Sequence, residues 1–193
     1  RQMCIRDRFE IIDTNGQNYK ANAGIKIFGG WSRGNPQKSF SLFARKQYGT
    51  SEFEYPIFPK SSIESYESFI LRNSGNDWDQ TMIRDGYVNS IIESIGVDYQ
   101  QYRPAIGYIN GEYWGIYNMR EKISEHFISS HHNVPTDKIN LLAYNGGFED
   151  NLETIHGSKN NFLEFIQYIS TNNISDPKVY DTVKNWIDVD EYI

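Results

Sequence analysis

The sequence predicts an α+β fold, and three observations carry that prediction. Up to Glu121, short segments alternate apolar and polar residues with the period of strands. Beyond Glu121, apolar residues recur at helical spacing. Where the two regimes meet stands PAIGYINGEYWGIYNMRE, whose Asn110-Gly111 pair is the dipeptide that a tight I′ hairpin turn prefers. Strands first and helices later is the α+β order, and it suits two lobes.

Residues 9–12 read as a short strand, and Asp13-Thr14-Asn15-Gly16 as the turn that follows it. Residues 23–28 form a second strand, ended by Gly29-Gly30. The loop WSRGNPQ leads into a third strand, residues 38–44, with Lys38, Phe40 and Leu42 on one face. Residues 67–72 make another, followed by the loop NSGNDWDQ. Residues 81–95 predict a helix, because Ile83, Tyr87, Ile91 and Ile95 recur every four residues and Val88 and Ile92 widen the stripe. That stripe is expected to be buried, with Asp77 and Asp79 capping the start and Gly96 the end. After the hairpin, helical periods cover residues 162–169 and those from 179 onward, separated by a turn at 175–177.

Composition removes several function classes. A net charge of -6 argues against a general nucleic-acid binder, which needs a basic surface for phosphates. No run approaches the length and apolarity of a membrane-spanning helix. The single cysteine forms no internal disulfide and excludes paired-cysteine metal sites. His126, His131, His132 and His156 show no metal-ligand spacing, and no HExxH occurs.

Three segments remain as candidates for chemistry. In GGWSRGNPQKSF, backbone N–H groups and the Ser32 hydroxyl would donate to a phosphate chain, with Arg33 and Lys38 supplying positive charge. The same segment also reads as a hairpin loop with a solvated lysine, and spacing alone favours that reading. Lys38 nevertheless shares a face with Phe40 and Leu42, so it must reach the rim or meet a buried acid. In NSGNDWDQTMIRD, Asp85 neighbours the apolar stripe, which puts a helix acid near a core-facing lysine as kinase-type sites require. Capping plus a surface Arg84–Asp85 pair explains the same residues. In NMREKISEHF, Glu121 and Lys122 read as a strand-to-helix junction. Trp31, Trp78 and Trp114 raise a carbohydrate-binding reading, ranked last because aromatics alternating in a hairpin are more often core.

Taken together, AGIKIFGGWSRGNPQKSFSLFARKQYG, FILRNSGNDWDQTMIRDG and INGEYWGIYNMREKI resemble the CotH kinase family, named for spore-coat protein H. The resemblance implies an atypical protein-kinase-like fold: a nucleotide-binding small lobe at 9–123 and the helical start of a large lobe at 124–193. It implies ATP-dependent phosphoryl transfer to Ser or Thr of a protein substrate, with Mg or Mn. A secreted or cell-surface location in a bacterium follows from it too. Carried over by residue, Ser32, Arg33 and Lys38 would bind phosphates and residues 119–122, with Glu121, would form the hinge beside adenine. Asp85 as the partner of Lys38 is an inference from its position. The family's catalytic and metal-binding aspartates belong to the large lobe, in a D-x-x-x-N segment and a later WDxD or DTD-like one. Asp188 and Asp190 sit in a helical setting that resembles the stretch just before the catalytic segment, so those acids are expected beyond Ile193. The polypeptide is then expected to bind nucleotide weakly without transferring phosphate. The rival is a catalytically inactive CotH-like surface or structural module.

Residues 1–8, RQMCIRDR, fit none of this. They match the in-frame translation of the end of a common transposase-based sequencing adapter. On that reading the native sequence begins at Phe9 and Cys4 is foreign to it.

Overall fold

A computed structural model describes residues 5–144 and 152–189. Cys4 and Asp190 lie outside the described residues. The chain divides into two compact units, Arg1–Lys122 and Ile123–Ile193. The architecture is α+β, built mostly from antiparallel strands. No described helix is long and apolar enough to cross a membrane.

The strands of the first unit are, in chain order, β1 (Ile5–Ile12), β2 (Asn18–Phe28), β3 (Ser39–Phe43), β4 (Phe53–Glu54), β5 (Ser65–Tyr66), β6 (Ser68–Arg72), β7 (Tyr102–Ile109) and β8 (Glu112–Glu121). Six of them form one sheet in the order β1-β2-β3-β6-β8-β7, every neighbour antiparallel. Both predicted turns form. Gly16 takes a φ of 84° between β1 and β2, and Asn110 and Gly111 take 52° and 84° between β7 and β8. β1 runs back past the expected start at Phe9, pairing Ile5 with Ile25 and Arg8 with Asn22. The side chains of residues 5–8 are all exposed, so this extension is a backbone ladder that side-chain identity barely influences.

One face of the sheet carries the apolar core. Register places Ile25 beside Leu42, Leu42 beside Phe69 and Leu71 beside Met119. Phe53, Tyr55, Ile57 and Phe58, from the connection between β3 and β6, are buried in or against this core. Phe53 meets Phe9 at 5.0 Å and Phe69 at 5.6 Å, both edge to face. Arg103 fastens that connection: it pairs with Asp13 at 2.5 Å and donates to the Ile57 carbonyl at 3.2 Å, while Tyr55 donates to Asp13 at 2.9 Å. Sequence periodicity misses this segment because Pro56 and Pro59 interrupt any regular element.

The opposite face holds Ser39, Arg72, Asn118 and Arg120, and helix α1 (Arg84–Ile92) attaches to it. Asp85 pairs with Arg72 and with Arg120, the latter at 3.1 Å. Gly86 approaches Tyr102 so closely that a Cβ there would stand 2.6 Å from the ring. Because the helix docks through Asp85 and Gly86, its apolar stripe faces away from the sheet. Tyr87 is 64% exposed and Ile91 50%, and Ile83 and Ile95 are exposed too. The expected burial of that stripe is therefore corrected, and the helix is shorter than the 81–95 expected.

In the second unit, α2 (Glu125–His132) starts at Ser124, whose Oγ accepts the Phe127 N–H at 3.3 Å. Strands β9 (Leu141–Tyr144) and β10 (Leu152–His156) pair antiparallel. Helix α3 (Asn160–Thr171) covers the predicted 162–169 segment. Helix α4 (Pro177–Val183) is capped by Asp176, which accepts the Lys178 N–H at 2.9 Å, with Pro177 in the first turn. Phe165 and Tyr168 of α3 face Trp186 at 5.8 and 6.5 Å.

Two substitutions test this arrangement by urea unfolding of the chain. Phe53→Ala removes a fully buried ring and is expected to cost about 3–5 kcal/mol. Ile91→Ser is expected to stay within ~0.5 kcal/mol of the parent. A loss above ~2 kcal/mol for Ile91→Ser would show that the stripe is core after all.

Candidate functional site

The loop after β2 is shaped by close backbone approaches. Gly29 has a φ of 102°, and a Cβ on it would lie 2.3 Å from Ser32 Oγ, so only glycine fits. Trp31–Gly34 forms a single 3-10 turn, in which Arg33 N–H donates to the Gly30 carbonyl at 3.2 Å. Lys38 then folds back on the loop. Its Nζ donates to the carbonyls of Arg33 at 2.7 Å and Asn35 at 2.6 Å. The ammonium satisfies two loop carbonyls and sets a positive charge among them. Tyr117 donates its hydroxyl to the Lys38 carbonyl at 3.0 Å, and burial pushes that phenol up to about 12.

A second loop, leaving β6, is built onto the first. Asn73, fully buried, donates to the Gln37 carbonyl at 2.6 Å and accepts from Ser39 Oγ at 2.8 Å and Gly75 N–H at 3.1 Å. Gln37 in turn accepts the Trp78 indole N–H at 3.1 Å and donates to the Ile116 carbonyl at 2.8 Å. Ser74 and Met82 adopt left-handed backbone at φ 67° and 58°, a conformation that costs a non-glycine residue about 1 kcal/mol or more. Side chains compensate: Ser74 Oγ donates to the Met82 carbonyl at 3.0 Å, and Asn118 Nδ2 donates to both Ser74 Oγ and that carbonyl.

Asp77 performs the capping expected of it. Its carboxylate accepts from Thr81 Oγ1 at 2.7 Å and from the Arg84 N–H at 3.1 Å, with the Arg84 guanidinium at 3.3 Å. The Thr81 bond is the main cause holding this carboxyl below the usual carboxylate range, joined by the backbone N–H bonds and the Arg84 charge. Asp79 does not cap; it is exposed and lines a cleft between the two loops. That open cleft has a volume of about 300 Å³ and is lined by Trp31, Ser32, Asn35, Gly75, Asn76, Trp78 and Asp79.

The residues expected to act together are thus only partly brought together. Ser32, Arg33 and Lys38 share one loop. Asp85 is not the partner of Lys38: it pairs with Arg72 and Arg120, on the sheet face opposite Phe40 and Leu42. Arg120 is largely buried, and desolvation holds its guanidinium below the usual value despite Asp85. Glu121 turns inward, 3% exposed, and its carboxylate accepts the Gln101 N–H at 2.9 Å, so its side chain serves the fold where it stands. Asn73, Gln37 and Asn118 were not anticipated. Their one sequence signal is polar residues abutting the ends of apolar strands. Among the described residues, no group of three His, Cys, Asp or Glu side chains is placed to hold a metal ion.

Replacing Asp77 with Asn tests the cap. The depressed carboxyl adds stability above its unfolded value that disappears as pH falls through the folded one. Asp77→Asn is therefore expected to lower the Tm at neutral pH, with the gap constant down to pH ~4 and narrowing below it. A gap that widens in acid would contradict this.

No curated protein matches the chain closely enough to count as a relative. A family model described as CotH kinase protein matches residues 25–193. The match includes both loops, the Lys38 ammonium that closes the first, and helix α1. The chain belongs to the CotH kinase family.

Proposed function

We propose that this chain contributes the nucleotide-binding part of a CotH-type protein kinase that transfers phosphate from ATP to Ser or Thr of a protein substrate. The family match supports a kinase-like function in general. The observation that carries the finer reading is the loop closed by Lys38, with donors at 2.6 and 2.7 Å to its own carbonyls. An ammonium has three donors, and two are used within the loop, which leaves one for a phosphate oxygen. Arg33 is exposed on the same turn and adds a second positive charge. The Ser32 hydroxyl completes the donor set.

These residues fit a phosphate chain better than they fit a metal. Lys38, Arg33 and Ser32 would hold and orient ATP, which supplies the γ-phosphoryl group when bound. Lys38 has a structural part as well, since the loop carbonyls it satisfies would otherwise face one another. Asp85 acts through the arginines, tying α1 to β6 and β8. No described residue is assigned as a metal ligand or catalytic base.

Thermal unfolding with and without Mg-ATP tests this reading. Ligand at about ten times its Kd stabilises a fold by roughly 1.4 kcal/mol, so the chain is expected to show a rise in Tm that saturates with nucleotide. Lys38→Ala should abolish the rise. An unchanged rise in Lys38→Ala would remove the phosphate-loop assignment.

A further inference from the structure

We propose that the cleft between the two loops binds a neutral saccharide, an inference that does not rest on the nucleotide reading. Its first wall is Trp31, which is 98% exposed. Indoles are usually well buried, and an indole fully in solvent beside a concave polar surface has the form of a stacking platform. The second wall is Trp78. Its N–H is held by Gln37 Oε1 at 3.1 Å, and Gln37 is itself held by the Ile116 carbonyl at 2.8 Å, so this ring is oriented before any ligand arrives.

The groups between the two tryptophans choose the ligand class. Ser32, Asn35, Asn76 and Asp79 present hydroxyl, amide and carboxylate groups, a mixture of donors and acceptors. No Lys, Arg or His is among the lining residues and Asp79 is, so the lining itself supplies no counter-charge to an anion, Arg33 and Lys38 standing outside it. An organic cation offers no acceptor to the amide N–H groups of Asn76, or to the Asn35 N–H left over from its bond to the Gly75 carbonyl at 3.4 Å. A sugar ring answers both demands. Its hydroxyls exchange hydrogen bonds with the polar side chains, and its C–H face lies on the electron-rich face of an indole. A volume of about 300 Å³ suits one or two pyranose rings.

The test uses the full chain labelled with 15N, following the indole N–H signals of its four tryptophans during titration with maltotriose, cellotriose and the trimer of N-acetylglucosamine. At least one sugar is expected to shift the Trp31 and Trp78 signals saturably, with a Kd on the order of 1 mM. Trp31→Ala should weaken that binding at least tenfold while leaving the Tm unchanged, because the side chain is solvent-exposed. Trp114→Ala, outside the cleft, should leave it intact. Absence of a saturable shift with all three sugars overturns the proposal. So does equal affinity in Trp31→Ala, or saturation by adenosine alone.

Discussion

Asn73 stands at the end of β6 with no exposed surface, accepting from Ser39 and Gly75 and donating to the Gln37 carbonyl. Ser39 Oγ also accepts the Asn73 N–H at 2.9 Å, which closes a ring of bonds between the end of the first loop and the start of the second. Each bond lost inside such a network leaves a buried group unpaired, at about 1–3 kcal/mol. The loop bearing Ser32 and Lys38 and the loop bearing Asp77 and Trp78 are consequently one assembly. Gln37 extends it to the β7–β8 hairpin, and Asn118 extends it to Met82. Left-handed backbone at Ser74 and Met82 persists because these side chains over-determine it.

The sheet keeps its two kinds of interior apart. On one face Phe53 wedges between Phe9 and Phe69 in a mainly apolar core, with the Arg103–Asp13 pair fastening the connection that covers it. On the other, attachment runs through Ser39, Asn73, Asn118, Arg72 and Arg120. Helix α1 belongs to the second kind. It is held by a carboxylate shared between two guanidiniums and by the tight approach of Gly86 to Tyr102. A helix docked by charge and backbone proximity is free to leave its apolar side outward, which explains Tyr87 and Ile91.

Alternation and turn chemistry made the strands legible: the faces of Phe40 and Leu42 and the Asn110-Gly111 turn follow from period two and from dihedral preference. Helical spacing located α1 but misjudged its orientation. Periodicity finds an apolar stripe, whereas docking was decided by Asp85 finding Arg72 and Arg120, a long-range match that no local pattern reports. The same limit separated Lys38 from Asp85, because sequence spacing does not state which sheet face a helix covers. The connection bearing Phe53, Tyr55 and Ile57 was invisible for another reason: it is irregular, interrupted by prolines and fastened by Arg103, distant in sequence. Of the site, Ser32, Arg33 and Lys38 were readable as a donor-rich loop. Asn73 and Gln37, which hold it, look like ordinary loop residues until their partners are known.

Native-state hydrogen exchange at the backbone amides of Asn73 and Gly75 tests the central claim most directly. Neither amide N–H bonds within a strand or helix, and their partners are side-chain oxygens, Ser39 Oγ at 2.9 Å and Asn73 Oδ1 at 3.1 Å. If the network joins the two loops as described, these amides exchange only through large-scale opening, with protection approaching that of β3 and β6. Exchange at the rate of an open loop, while β3 and β6 stay protected, would contradict it.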